Sequence, residues 1–392
     1  MKSLVINGGS SSFKCRLDDL PDGPLPTAPP KPAWEARVEW DQRSSVAEVL
    51  KPVFKSVHGP VDVVGHRIVH GGPLYRESAP LIPKVRAAIA KEIEFAPVHN
   101  RFELEAVQAV DDILGSGILQ IAVFDTGFHS TLTPDAYVYP GPYEWLKEGI
   151  RRYGFHGINH QYASRRAAEM LGADSTSLRL IVCHLGNGAS LSAVRGGKSA
   201  DTTMGFTPLE GLMMGTRCGS IDPGILVYLI RHRGSTAEEL DEILNRKSGL
   251  LGVSGISGDM REIEAAMDGG NERARLAFDV YVRRLVRELG AMLAVLGGVE
   301  AIIFTGGVGE NSARLRQQAC SHFGFLGLKF DVTKNLESRP DVDIAASDSR
   351  VRVLVIRAQE EWEIARECHR LAIARRPILS HAGEQAISGP AY

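Results

Sequence analysis

Asn7-Gly8-Gly9-Ser10-Ser11-Ser12-Phe13-Lys14 sets two glycines, three hydroxyls and one ammonium side by side. Glycine lets a backbone approach an anion closely, and successive N–H groups can form a concave nest around it. With the hydroxyls and the ammonium as further donors, the stretch suits a polyphosphate. It lacks the Gly-Lys-Ser/Thr ending of a Walker A loop, and no helical pattern follows. A plain hairpin turn with solvated serines is the competing reading. Arg67, within Gly65-His66-Arg67-Ile68-Val69-His70-Gly71-Gly72, lies in an otherwise apolar run. A buried charge is costly unless it meets a counter-charge, and the guanidinium fork matches carboxylate or phosphate. Its partner is either a ligand or a structural acid. The two histidines of this stretch read as packed strand residues.

Asp125, in Val123-Phe124-Asp125-Thr126-Gly127, falls at the carboxyl end of an apolar run. Nucleotide enzymes place a metal-organising carboxylate there, although an Asp capping the next turn is common. His156 sits between Gly154 and Gly157, which permit unusual backbone angles. It is placed either to donate to a phosphoryl oxygen or to pack in a core. His184-Leu185-Gly186-Asn187-Gly188-Ala189-Ser190 repeats the strand-then-glycine pattern. Arg217 follows the apolar loop Met204-Gly205-Phe206-Thr207-Pro208 to Met213-Met214-Gly215-Thr216. A cation against apolar walls is the make-up of a pocket for a small anionic acid; a surface arginine is the alternative. Thr305-Gly306-Gly307-Val308-Gly309-Glu310-Asn311 and Ala358-Gln359-Glu360-Glu361 are weaker signals. Acids at a helix start are ordinarily dipole partners.

The elements that must carry these residues can be read from period and punctuation. Strands are expected at 3–7 and 13–17 as a hairpin, then at 61–69, 115–124, 179–185, 191–194, 301–304 and 351–356. Helices are expected at 83–95, 100–114, 274–296 and 361–374, with a proline-rich loop at 21–32. A short apolar strand leads into a glycine turn near residues 8, 187 and 307. That recurrence suggests two α/β halves of similar build facing one cleft.

The gross numbers agree with such an enzyme. A chain of 392 residues with 44% apolar content suggests two domains. The formal charge of −2 gives no basic surface for nucleic acid and no polybasic run for an anionic membrane. No apolar stretch is long enough for a transmembrane helix. Five scattered cysteines, without a Cys-x-x-Cys pair, argue against a disulfide framework or structural zinc. They suit a reducing, cytoplasmic compartment.

Taken in this order, the stretches resemble the acetate kinase family over nearly the whole chain, from Asn7 to the Glu360 region. The resemblance implies two similar actin-like ATPase (ribonuclease H-like) domains around a nucleotide cleft: 1–129 with 362–392, and 130–361. It implies a homodimer, acetate and ATP as substrates, and Mg²⁺, with Mn²⁺ as a substitute. Arg67 and Arg217 match the arginines that hold the acceptor carboxylate and the phosphoryl group. Asp125 matches the acid that positions metal and acceptor, and His156 the histidine on the phosphoryl group. Ser10, Ser12 and Lys14 match the N-terminal phosphate motif, and His184, Asn187 and Gly188 the second phosphate loop. Asp259, Met260 and Arg261 match the region beside adenosine; Gly307, Gly309 and Asn311 match the turn near the α-phosphate. Asn7 and Glu360 match the metal-linked pair. Val69, Val98, Phe155 and Pro208 match the wall around the acetate methyl.

Several positions depart from the family pattern. Gly8 stands for an alanine, Ile158-Asn159 for Thr-Ser, Cys218-Gly219-Ser220 for Ser-Gly-Asp, Arg101 for a proline, and Ala358-Gln359 for Thr-Asn. None removes a matched catalytic residue. Val98 is smaller than the leucine common there, which implies a roomier methyl pocket. Propionate or butyrate kinase activity is the neighbouring alternative, and an ATP-switched binding protein the alternative of another class.

Overall fold

The computed structural model describes residues 1–9, 12–40, 44–57, 59–91 and 99–384, with the backbone alone described at 99, 100 and 376–384. The chain forms two compact units. One comprises Met1–Gly127 and the chain from Gln359 onward; the other is Phe128–Ala358. These limits differ by two or three residues from those implied by the resemblance. His129 belongs with the second unit because its ring bonds Ser199 and the Phe155 carbonyl. Glu360 and Glu361 belong with the first because both accept from the Asn7 amide.

Among the described residues the first unit holds six strands: β1 (Lys2–Gly8), β2 (Ser12–Asp19), β3 (Trp34–Glu39), β4 (Val63–Ile68), β5 (Ala79–Pro80) and β6 (Leu119–Phe124). Their order in the sheet is β3-β2-β1-β4-β6-β5. β1, β4 and β6 run parallel at its centre, and the remaining pairings are antiparallel. Leu4, Val5 and Ile6 are all buried, as a strand covered on both faces requires. Leu4 and Ile6 pack into a cluster with Val46, Leu50, Val53 and Phe54 of the helix Val46–Lys55 and Ala106, Ala109 and Val110 of the helix His99–Leu114. The other face carries the helix Glu360–Glu384, which packs on β1 and β4. Gly65 makes this approach feasible. A Cβ there would lie 2.5 Å from Cys368 Sγ and 2.6 Å from Ile364 Cγ2, so any side chain would push the helix off the strand. The proline-rich stretch is a coil tied to the same helix. Trp362 Nε1 donates to the Thr27 carbonyl at 2.9 Å, and His369 Nε2 to the Pro21 carbonyl at 2.8 Å. These bonds hold the helix whose first residues are Glu360 and Glu361.

The second unit repeats the plan. Its strands are β7 (Arg179–Leu185), β8 (Ala189–Arg195), β9 (Lys198–Thr202), β10 (Ala301–Thr305), β11 (Val342–Asp343) and β12 (Arg352–Val355). Read from the other end, the sheet order β11-β12-β10-β7-β8-β9 is the first sheet's order with six added to every number. The parallel and antiparallel pairings match one for one. The helix Gly157–Met170 packs on β7 and β10, and the 25-residue helix Glu272–Leu296 packs on β7, β8 and β9. The recurring strand–glycine turn is thus the visible part of a duplicated topology. Positions 8 and 187 are the same corner in each sheet, after the first central strand.

The expected helix at 83–95 is found as Pro83–Lys91; residues 92–95 lie outside the described residues. The terminal helix runs longer than expected, from Glu360 to Glu384. Among the described residues no helix is long and apolar enough to cross a membrane.

Candidate active site

In the first unit the carboxyl ends of β1, β4 and β6 bring together Gly8, Arg67 and Asp125. Parallel strands deliver such residues to one edge, where α/β proteins bind ligands. Arg67 donates from Nη2 to Asp125 Oδ2 at 3.0 Å and from Nη1 to the Gly8 carbonyl at 3.1 Å. The side chains are only 13% and 1% exposed. Burial by itself would lower the Arg67 pKa, but Asp125, Glu360 and Glu103 outweigh it and raise the value, so the cation is secure. Asn7 Nδ2 donates to Glu360 Oε2 and to Glu361 Oε1, each at 2.9 Å. Lys14 Nζ lies 3.6 Å from Glu361 Oε1. Val69 is buried, and its N–H donates to Glu103 Oε2 at 3.0 Å. Ser12 opens β2, whereas Ser10 and Val98 lie outside the described residues.

Asn7, Glu360 and Glu361 offer only oxygen ligands once the amide N–H₂ is spent on the two carboxylates. That donor set fits a hard dication. Among the described residues no group of three or more His, Cys, Asp or Glu is gathered as a metal cage. Mg²⁺ on nucleotide enzymes takes one or two carboxylates and completes its shell from phosphate and water.

In the second unit the long loop between β9 and the helix Gly224–Arg233 carries Pro208 and Arg217. Arg217 Nη1 donates to the Pro208 carbonyl at 2.6 Å, while Met213 and Met214 are buried behind it. His156 adopts φ 57 and ψ 20, the left-handed region that is uncommon for a non-glycine residue. Such strain is retained where the surroundings over-determine it, commonly at functional sites. Here Phe155 is buried just before it and the helix Gly157–Met170 begins just after. The rings of His156 and His184 stack with centroids 4.3 Å apart. His184 Nδ1 lies 2.8 Å from Asn159 Nδ2. Gly188 marks the focus. A Cβ built on it would lie 3.2 Å from His156 Nε2 and 3.2 Å from Arg217 Nη2. Two donors therefore converge on one point beside a glycine turn, an arrangement that suits a phosphoryl or carboxylate oxygen.

A cavity of about 680 Å³ adjoins the same turn. It is lined by Gly186, Asn187, Asp259, Met260, Arg261, Gly307 and Asn311, with Gly258, Glu264, Val308 and Ser312 completing it. Its size is that of a small-molecule site. Asp259 caps the helix Met260–Asp268 by accepting the Arg261 N–H at 2.9 Å, and its carboxylate also pairs with the Arg261 guanidinium. Hydrogen bonding to Arg261 holds Asp259 below the usual carboxylate range. Gly309 is buried inside the helix Gly306–Asn311; its carbonyl accepts from Arg316 Nη1 at 2.8 Å and it does not line the cavity.

Sequence reading missed Glu103, whose buried carboxyl has its pKa pushed up to about 8, chiefly by desolvation. It also missed His160, although a histidine four residues after His156 on a helix start was a usable signal. Ser190 was quoted only as the end of a motif.

The fold is that of the actin-like ATPase class. The Acetokinase family model matches residues 41–366. An acetate kinase of Gloeobacter violaceus is 53% identical over 399 residues, covering 94% of this chain and 98% of that protein. The crystal structure of Porphyromonas gingivalis acetate kinase aligns with TM-score 0.84 and 40% identity, over 95% of this chain and 99% of that one. A propionate kinase from Francisella tularensis aligns with TM-score 0.85 and 34% identity, over 94% and 99%. The chain belongs to the acetokinase family, whose phosphoryl acceptor is a carboxyl group.

Proposed function

We propose that the chain catalyses reversible, Mg²⁺-dependent phosphoryl transfer between ATP and acetate, giving acetyl phosphate and ADP. The observation that supports it most is the chain-long likeness to relatives named acetate kinase at about half identity. The site chemistry agrees with it. An aliphatic carboxylate is already ionised at neutral pH, its pKa being about 4. It attacks the γ-phosphorus, the bond to the β,γ-bridging oxygen breaks, and ADP leaves. No proton is taken up or released, so no general base is required.

What the acceptor needs is relief from charge repulsion. Arg67, fixed by Asp125 and the Gly8 carbonyl, and Arg217, fixed by Pro208, would neutralise the carboxylate and the equatorial oxygens. His156 would donate to the same oxygens. Val69, Val98, Phe155 and Pro208 would line the methyl. His184, Asn187 and Gly188, with Ser10, Ser12 and Lys14, would serve the phosphates. The cavity from Asp259 to Asn311 would take the nucleoside. Asn7 and Glu360 would hold Mg²⁺ or Mn²⁺, which supplies charge neutralisation on the polyphosphate when bound.

The reading extends to a cytoplasmic homodimer. All five cysteines are free thiols. The helix Gly224–Arg233 leaves Ile225, Val227, Tyr228 and Ile230 between 45% and 56% exposed, an apolar face that a second copy would cover. The test is ADP release from Mg-ATP with acetate, propionate, butyrate, glucose or no acceptor, trapping acyl phosphate with hydroxylamine. Acyl hydroxamate formed with the highest kcat/KM on acetate supports the assignment. Preference for propionate moves it to the neighbouring activity. Slow acceptor-independent hydrolysis without hydroxamate overturns it in favour of an ATP-switched binding protein.

A further inference from the structure

His156 does not stand alone. Its Nδ1 lies 2.9 Å from Ser190 Oγ, and the same hydroxyl lies 2.7 Å from His160 Nε2. Ser190 and His160 are both wholly buried. One hydroxyl between two imidazoles has a single hydrogen to give, so the protonation states of the three groups are tied together.

The far side of His160 resolves which way the hydrogens run. Its Nδ1 has no hydrogen-bond partner among the described residues. A buried N–H without an acceptor is rarer and costlier than a buried acceptor left unused. Burial, with His129 and His184 nearby, holds the His160 pKa well below the ordinary value, so the ring carries one proton. That proton belongs on Nε2, where it is donated to Ser190 Oγ. Ser190 then gives its own hydrogen to His156 Nδ1. The remaining position for the His156 proton is Nε2, the atom that converges with Arg217 Nη2 beside Gly188.

The neighbours reinforce this direction. His129 Nε2 lies 3.1 Å from the Phe155 carbonyl, which can only accept, so His129 carries its proton there and is turned away from the relay. The Asn159 amide donates to His184 Nδ1, so His184 likewise carries its proton on Nε2. Arg217 is the permanent cation facing His156, and it opposes a second positive charge on that ring.

We propose that Ser190 and His160 are positioning residues that hold His156 as a neutral imidazole with its hydrogen on Nε2, a fixed donor rather than an acid–base. This rests on the proposed role of His156 at the transferring group. It accords with a reaction in which no proton changes hands. It also explains a serine and a histidine buried where apolar residues would pack more cheaply.

The decisive measurement is ring-¹⁵N histidine labelling of the full-length protein, with the His156 resonances identified by their loss in His156→Gln. A long-range ¹H–¹⁵N spectrum of the otherwise unchanged protein at neutral pH should show protonated Nε2 and bare Nδ1. A protonated Nδ1, or an imidazolium, would overturn the proposal. Ser190→Ala should yield mixed tautomers and a kcat lower by up to about tenfold, the worth of one hydrogen bond, with both KM values little changed. His160→Gln retains an N–H donor and should stay within a few-fold of the parent, whereas His160→Leu should match Ser190→Ala. The double variant Ser190→Ala/His160→Leu should be no worse than either single one, and multiplied losses would count against a shared path. Full activity in His156→Gln would remove the catalytic role while leaving the tautomer result intact.

Discussion

Replacing Arg67 by glutamine removes a charge while keeping a shorter planar donor. The parent guanidinium makes two bonds, to Asp125 Oδ2 and to the Gly8 carbonyl, and the amide can satisfy one. Asp125 is 1% exposed and would lose its guanidinium counter-charge. Breaking a buried pair by removing one partner costs about 3–5 kcal/mol of stability. Loss of an arginine that carries transition-state charge should lower kcat by about 10³-fold or more, which is ~4 kcal/mol of transition-state stabilisation. The two effects separate in Arg67→Gln/Asp125→Asn. Neutralising the acid should return most of the stability, read by urea denaturation, and none of the turnover, read by hydroxamate formation. Arg67→Gln turnover within tenfold of the parent would refute its assignment to the phosphoryl group. Stability unchanged within 1 kcal/mol (about fivefold in the folding equilibrium) would refute the inference that Asp125 depends on it.

Other outcomes follow from the same geometry. Asn7→Ala removes one oxygen ligand and the donor shared by Glu360 and Glu361, and should raise the Mg²⁺ concentration for half-maximal rate by about 10–100-fold or more; an unchanged metal titration would remove Asn7 from the metal site. Asp259→Ala should raise KM for ATP while leaving KM for acetate alone, with about 1 kcal/mol of stability lost with the helix cap. Equal change in both KM values would argue that the cavity is not the nucleoside site. Glu103 has its folded pKa raised from 4.5 to about 8. The folded state therefore holds a proton that the unfolded chain releases, and this contribution, complete below about pH 4.5, is lost as pH rises through about 8. Glu103→Gln should be more stable relative to the parent at pH 8 than at pH 5. A difference that is flat with pH, measured by denaturation, would show that the carboxyl is ionised throughout. Tyr228→Asp on the exposed face of the helix Gly224–Arg233 should halve the sedimenting mass; an unchanged mass would place any dimer interface elsewhere.

Much of the chemistry was legible because the residues that carry it break local rules. Arg67 stood out as a charge in an apolar strand, and it does meet a buried acid. The strand–glycine turns stood out because they recur, and the two sheets share one strand order. Glu103 was not legible. It lies within the helix His99–Leu114 at a position where sequence alone cannot separate a buried carboxyl from a solvated one. His160 and Ser190 were likewise hidden, because a helix residue and a strand residue 30 positions apart become neighbours only through packing.

Residue types, local turns and periodicities are written in the chain: which strands are buried on both faces, where glycine must sit, and which cations fall in apolar runs. Those follow from short-range sterics and from the cost of burying charge. Tertiary structure alone decided the partners: that Asp125 meets Arg67 across neighbouring strands, that Asn7 holds two acids at the far end of the first unit's chain, and that one serine hydroxyl joins two histidines. Such contacts depend on strand order and on helix placement against a sheet, quantities summed over the whole core that no short window of residues contains.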